Sequence, residues 1–385
     1  MTLYKPEDHE QVSDQLLQLI RQEIEKADGA LPFDVYMEHA LYHPLFGYYN
    51  APTFTLGEQG DFTTAPEISP VFARCLVNPC IAVLSKTGGN LLELGAGTGV
   101  LAKDLLTALA EADCLPDYYF IYEISPTLRQ KQQAFLQIHC HQFFSRIVWL
   151  DKLPAAFHGV IIANEVCDAL PVHCFTINNG EPAERCVIWH QDHFAWENKP
   201  ATSALKDRIQ ALHRTYALPE GFSSEINFHL DRLMSTLAAC LTTGMLLIAD
   251  YGYGEAEYYR PDRREGTLTC FYRHQKHHDP LILTGQQDIT AHVDFTRLIT
   301  VASQYGCELL GYTTQAAFLA DCGLLDIAAT MEKTLSTSAQ YALRQALKIL
   351  TLPTEMGEHI KVMALAKNMS LPIKGFGLID RRRDL

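Results

Sequence analysis

The chain has 385 residues, 48% of them apolar and 20% charged, and a net charge of −14 at pH 7. These proportions exclude a disordered, collagenous or coiled-coil chain, and the length fits about two or three units with a sizeable buried core. A nucleic-acid binder needs a basic footprint to displace counterions, so the acidic balance argues against that class and suits a small molecule or a basic protein partner.

The N-terminus through Glu10 carries neither an apolar signal core nor an Arg/Ser-rich amphipathic stretch. Residues 8–27 have the period of an amphipathic helix, stopped by Asp28-Gly29, and Leu31-Pro32-Phe33 opens a second helix running to about Leu41. An aromatic stretch, Tyr42 to Tyr49, follows and reads as packing for an N-terminal cap. Gly60 to Glu67 reads as a loop, and Ser69-Pro70 starts another helix. From Asn90 the texture changes. Strands at Asn90–Leu94, Tyr118–Tyr122, Arg146–Leu150 and Val160–Ala163 alternate with helices at Val100–Ala112 and Pro126–Ile138, which argues for a parallel sheet with crossovers. A polar hairpin-like segment, Phe175 to Trp196, then helical segments to about residue 240, interrupt the rhythm. It resumes with a buried strand at Gly244–Ala249, a helix near 294–305, a strand near 307–313, helices over 315–350 and a last strand at Ile360–Ala366. The fold expected is α/β: a Rossmann-like doubly wound sheet with an N-terminal helical cap and an inserted subdomain. The segments are 1–84 (cap), 85–174 (first half of the sheet), 175–240 (insertion), 241–313 (second half, with an acidic loop) and 314–385 (C-terminal helices and last strand). No apolar run reaches the ~18 residues of a membrane span. Eleven cysteines without a C-x-x-C pair read as reduced buried thiols, not as a disulfide framework or structural zinc site, so a soluble cytoplasmic protein is expected.

The sharpest local signal is Glu93-Leu94-Gly95-Ala96-Gly97-Thr98-Gly99 between a strand and a helix. A dinucleotide fingerprint, G-x-G-x-x-G/A, would need Gly or Ala where Val100 stands. The spacing E-x-G-x-G-x-G instead resembles the first motif of class I S-adenosylmethionine methyltransferases. Small residues let the backbone approach the methionine half of such a donor, and helix N–H groups face its carboxylate. Glu93 is placed to meet the donor's ammonium. Glu123, ending the second strand, is placed to accept from the ribose hydroxyls, and Asp151, after the third, from the adenine amino group. The competing reading is a glycine turn that binds nothing.

The fourth strand runs into Asn164-Glu165-Val166-Cys167-Asp168, at the switch point beside the donor, with Asn164 on the donor side. Asp250 and Tyr251 end the fifth strand at the same edge, and Gln287 to Asp294 packs acids, a threonine and a histidine into a loop. For an arginine acceptor, which stays charged at working pH, carboxylates gripping the guanidinium orient it and hold charge away from the attacking nitrogen. Glu165, Asp168 and Asp288 are the candidates, each with a helix cap or turn acid as the competing reading, and His292 is the proton relay, with a hydrogen-bonded loop histidine as its competing reading. The histidines of Arg273-His274-Gln275-Lys276-His277-His278-Asp279 read as a solvated or substrate-facing loop, so no metal is expected. The mixed aromatic and basic run Tyr258 to Gly266 reads as a surface lid, and Arg381-Arg382-Arg383 as a solvated tail.

Taken together, these blocks resemble the MidA-type family of S-adenosylmethionine-dependent methyltransferases, whose mitochondrial members are complex I assembly factors acting as protein arginine methyltransferases. The resemblance runs through Tyr36-Met37-Glu38, Leu41 to Pro44, Gly47-Tyr48-Tyr49, Gly60 to Pro70, Glu93 to Gly99, Tyr122 to Pro126, Asn164 to Pro171, Asp250-Tyr251-Gly252, Gly266-Thr267-Leu268 and Gln287 to Phe295. Ala73 departs from the glycine usual in the family after Phe72. The resemblance implies the fold, S-adenosyl-L-methionine as cofactor and an arginine acceptor in a protein substrate, such as a respiratory-complex-like subunit. Neither nucleic acid nor membrane is expected as a partner. The oligomeric state is left open, with a homodimer one option. An assembly factor or chaperone that binds the donor without turnover, and a methyltransferase for a small molecule or tRNA, stay open as alternatives.

Overall fold

A computed structural model describes residues 6–51, 60, 61 and 63–385. The expected loop block Gly60 to Pro70 contains Phe62, which lies outside the described residues. The chain divides into two compact units. One comprises residues 63–168, 231–254 and 293–385, and the other comprises the described residues up to 61 with 169–230 and 255–292.

The first of these units is built on seven strands: β1 (Asn90–Leu94), β2 (Tyr119–Tyr122), β3 (Ile147–Leu150), β4 (Phe157–Asn164), β5 (Leu241–Tyr253), β6 (Cys307–Thr314) and β7 (Ile360–Lys367). They lie in the order β3-β2-β1-β4-β5-β7-β6, with Val293–Asp294 alongside the end of β5. β1 to β5 pair in parallel, and β7 runs antiparallel to both of its neighbours. A sheet covered on both faces needs strands that are apolar throughout. Leu91, Leu92 and Leu94, Val160 to Ala163, Met245 to Ala249 and Ile360 to Ala366 meet that requirement, and all of them but Lys361 are buried apolar residues. The helices are delimited by local chemistry. Ser69 accepts the Val71 N–H at the start of Pro70–Thr87, which closes at left-handed Gly88, and Ser125 accepts the Leu128 N–H at the start of Pro126–His139. Strands β1, β4 and β5 approach one another closely at their amino ends. Gly159 has φ of +126°, and a Cβ there would lie 2.0 Å from the Asn90 carbonyl oxygen.

The other unit carries two antiparallel sheets. In the larger, Glu181–His190 pairs with Leu31–Pro32, His173–Asn178 and His193–Pro200, and Ser223–Ile226 extends it beyond His173–Asn178. The smaller orders Gln275–His277, Thr269–Tyr272 and Asp288–Thr290. Phe33, Tyr36, Phe175 and Phe222 are fully buried in this unit. The Glu225 carboxylate, also buried, accepts from the Thr267 N–H and from the hydroxyls of Tyr258 and Thr267, satisfying a charge that burial would otherwise make costly.

Several elements differ from the sequence expectation. Leu31-Pro32 does not open the second helix. It pairs with Val187 and Cys186, and the helix begins at Phe33. The insertion is richer in strand than read, because its tight turns use Asn179-Gly180 and Gln191-Asp192 with positive φ at all four positions. The polar stretch from Arg273 is no open loop: Arg273-His274, both at positive φ, turn a two-residue hairpin. Asp288 to Thr290, expected in a loop, is a strand paired with Thr269 to Phe271. The helix Pro70–Thr87 groups with the large sheet and not with the cap, and residues 255–292 group with the cap and insertion. All eleven cysteines are free thiols, and among the described residues no helix is long and apolar enough to cross a membrane.

Substituting Gly159→Ala forces a methyl into the Asn90 backbone and a non-glycine residue into that φ. A loss of about 2 kcal/mol or more is expected by urea unfolding; a variant as stable as the parent refutes the close-approach argument.

Candidate functional site

In an open α/β sheet the crevice lies beyond the carboxyl ends of the strands where the order reverses, here between β1 and β4. The loop after β1 turns through Gly95, Gly97 and Gly99 at φ of +56°, +54° and +91°, delivering the chain to the amino end of helix Val100–Glu111. A Cβ on Gly95 would lie 3.1 Å from Val166 Cγ2, so the loop passes close to the chain leaving β4. The Thr98 hydroxyl donates to the Glu67 carboxyl, tying the loop to the short helix Ala65–Ile68.

Next to this loop, β4 ends in Asn164 and Glu165. Glu165 adopts φ of +51°, a left-handed conformation that costs a residue with a Cβ of order 1 kcal/mol and marks a locally over-determined turn. Its N–H donates to the Ala249 carbonyl at 2.8 Å. Its Oε1 accepts from the Ala65 N–H at 2.9 Å and from Asn164 Nδ2 at 3.1 Å. Asp250, fully buried at the end of β5, accepts the N–H groups of Val166 (3.2 Å), Cys167 (2.8 Å) and Tyr251 (2.9 Å). Burial pushes Glu165 up to about 8, with the Asp250 charge adding to it, and pushes Asp250 up to about 7 against its backbone donors. Burial and then the carboxylates of Glu165, Asp168 and Asp250 raise the Tyr251 phenol far above its ordinary range. Three acids and a phenol therefore share this edge, with Asp168 itself buried.

The expected donor-side residues occupy the same sheet edge. Glu93 lies inside β1, where its Oε2 accepts the Tyr119 hydroxyl at 2.7 Å, and burial pushes it up to about 8. Glu123 follows β2; its two oxygens accept from the Ser125 N–H and from Gln132 Nε2, each at 2.9 Å. Asp151 follows β3, exposed, with Arg129 Nη1 on its Oδ1 at 2.5 Å. The Oδ1 of Asn164 is a buried acceptor without a hydrogen-bond partner among the described residues. An orphaned acceptor beside a glycine loop and a helix amino end is what a zwitterionic amino-acid moiety would complete, supplying an N–H to Asn164 and a carboxylate to the helix.

Asp288 and His292 belong to the other unit. Asp288 is buried there, and its Oδ1 accepts the Tyr49 hydroxyl at 2.7 Å. Burial and the neighbouring Asp61 raise it to about 7 against that hydrogen bond. Asp61 accepts the Tyr48 hydroxyl at 2.7 Å and the Arg273 N–H at 2.6 Å. The N–H of His292 donates to the Thr267 hydroxyl at 3.0 Å. Sequence reasoning gives no site role to Gln132, Glu67, Tyr48, Tyr49 or Asp61, although the last four fall in blocks that carry the family resemblance. The aromatic run containing Tyr48 and Tyr49 was visible but read as packing, whereas nothing in the sequence marks Gln132.

The strand order, the glycine loop at β1 and the acid after β2 define a class I S-adenosylmethionine-dependent methyltransferase. Residues 73–313 match the family described as S-adenosyl-L-methionine-dependent methyltransferase, and the chain belongs to it. The chain is similar throughout to a crystal structure of a methyltransferase-like protein from Burkholderia thailandensis bound to S-adenosyl-homocysteine. That similarity has 35% identity, a TM-score of 0.93 and full coverage of both chains. It is 29% identical over 88% of its length to the mitochondrial protein arginine methyltransferase NDUFAF7 homolog of Drosophila melanogaster, covering 82% of that protein. It is 28% identical to the human mitochondrial protein arginine methyltransferase NDUFAF7, covering 90% of this chain and 82% of the relative.

Because Glu93 carries its proton in the folded chain well above the ordinary glutamate value of 4.5, the folded state binds more protons than the unfolded state between about pH 4.5 and 8. Its contribution to stability therefore falls as pH rises through that window. Glu93→Gln keeps the acceptor for Tyr119 and removes the ionisation. Its stability relative to the parent should grow from pH 5 to 8, read as urea midpoints of the ligand-free protein; parallel curves refute this.

Proposed function

We propose that this methyltransferase acts on an arginine side chain of a partner protein. The observation that carries the reading is the half-buried, desolvated carboxyl of Glu165, held in a left-handed turn beside the glycine loop with Asp168 and Asp250 close by. The names of the NDUFAF7 relatives support the same acceptor.

In this reading Gly95, Ala96, Gly97, Thr98 and Gly99 cradle the donor's amino-acid half. Asn164 Oδ1 and Glu93 serve its ammonium, Glu123 its ribose and Asp151 its adenine edge. The donor, when bound, supplies a methyl group already activated on a sulfonium. The protein's own task is to orient the acceptor, exclude water and manage one proton. Glu165 and Asp168 grip the guanidinium, and bidentate contact fixes which nitrogen is left to react. A buried carboxyl near 8 is mostly protonated at neutral pH, and an arriving cation displaces that proton, so the grip tightens as pH rises toward 8. Asp288, with Tyr49 on its carboxyl, and His292 are assigned a cation-binding and proton-relaying role within the other unit. The acidic chain suits a basic protein segment as substrate. Eleven free thiols suit a reducing compartment, and we place the protein in the cytoplasm.

Labelled S-adenosylmethionine incubated with basic protein extract should yield label recovered as methylarginine; protein-bound label found only on other residues, or none at all, sinks the arginine reading. Glu165→Gln should lower kcat/KM about 100-fold or more while leaving S-adenosylhomocysteine affinity within about threefold. The parent's kcat/KM should rise up to about pH 8, and the residual activity of the variant should lack that rise.

A further inference from the structure

Gln132 projects from the second turn of helix Pro126–His139 and is fully buried, unusual for a residue type that is mostly exposed. Its side-chain nitrogen donates to the Gly97 carbonyl oxygen at 3.0 Å and to Glu123 Oε2 at 2.9 Å. Its side-chain oxygen accepts the indole N–H of Trp149, on β3, at 3.0 Å. A primary amide has two N–H donors and one carbonyl acceptor, and here each has a partner. The indole can only donate, and the Gly97 carbonyl and the Glu123 carboxylate can only accept. Turning the amide over would set its oxygen against two acceptors, so the three partners fix one orientation.

We propose that Gln132 is a positioning residue for the methyl donor: it locks the glycine loop after β1 to the acid after β2, so that the two halves of the donor site keep one spacing. This rests on the reading that Glu123 meets the ribose. The two elements it joins have no covalent reason to stay in register. Gly97 sits in a loop whose glycines permit many conformations, and Glu123 sits on a chain leaving a four-residue strand. Two further braces hold the loop: the Gly95 N–H donates to the Tyr122 carbonyl at 3.0 Å, fixing its first residue to the end of β2, and Thr98 to Glu67 comes from a different direction; neither involves the Gly97 carbonyl or the Glu123 side chain. The Ser125 N–H holds one oxygen of Glu123, and Gln132 holds the other. Without the amide, the Gly97 carbonyl and the second Glu123 oxygen would have to be set by the donor itself, and binding would lose the corresponding free energy.

The test is calorimetric titration of S-adenosylhomocysteine into the full-length protein and into Gln132→Leu, Trp149→Phe, Glu123→Gln and the Glu123→Gln/Gln132→Leu pair. Gln132→Leu should weaken binding about tenfold or more, the scale of lost hydrogen bonds to charged and backbone groups. Trp149→Phe, which frees the amide to turn, should weaken it to a smaller degree and serves if the leucine variant does not fold. The double variant should bind less weakly than the product of the two single effects predicts, because the Gln132–Glu123 contact is already lost in either. A purely structural Gln132 would lower the thermal midpoint while affinity of the folded fraction stayed within about twofold, or give fully additive effects; either result overturns the proposal. If Glu123→Gln alone binds as the parent does, the ribose reading fails and the proposal with it. If Glu123→Gln weakens binding and both Gln132→Leu and Trp149→Phe do not, the proposal alone fails.

Discussion

The carboxylate of Asp250 is buried at the end of β5 and is solvated by the amides of the chain itself. Val166, Cys167 and Tyr251 turn their N–H groups onto it, replacing the water it has lost. That arrangement requires the chain leaving β4 to bend sharply back along β5, and Glu165 accommodates the bend in a conformation that side chains with a Cβ seldom adopt. This edge of the sheet is thus organised around one desolvated carboxylate. The Glu165 N–H bonds to Ala249, its carboxyl faces Ala65 N–H, and the neighbouring Asn164 keeps an acceptor that none of the described residues fills.

Such an edge is electrostatically unfinished in the ligand-free chain. Burial holds the Glu165 and Asp250 carboxyls well above the usual carboxylate range, and each would be relieved by a cation. A sulfonium donor is cationic. Desolvated carboxyl groups favour its arrival over that of a neutral molecule of the same size.

The large sheet was legible because its strands are buried on both faces and read as unbroken apolar runs, such as Leu91 to Leu94 and Met245 to Ala249. The glycine loop was legible because its spacing is local. The hairpin at Arg273-His274 was hidden by its turn residues, since neither is a usual occupant of positive φ, and the strand at Asp288 by its three-residue length. Leu31-Pro32 was misread because proline opens helices more often than it edges a sheet. Tyr49 and Asp288 stand 239 residues apart in sequence, and no local pattern links them. Gln132 looked like any polar residue on an amphipathic helix. Its burial follows only once β3 brings Trp149 beside the helix, a tertiary event that a one-dimensional pattern does not encode.

The eleven thiols have a further consequence. Burial pushes Cys75 and Cys80 on helix Pro70–Thr87 up to about 12, and Cys186 in the other unit likewise. A reagent that requires thiolate finds almost none while these elements stay shut. Native-state alkylation therefore acts as a clock on local opening, and because the sulfurs are spread over both units, the order in which they are labelled ranks the two by how readily each breathes.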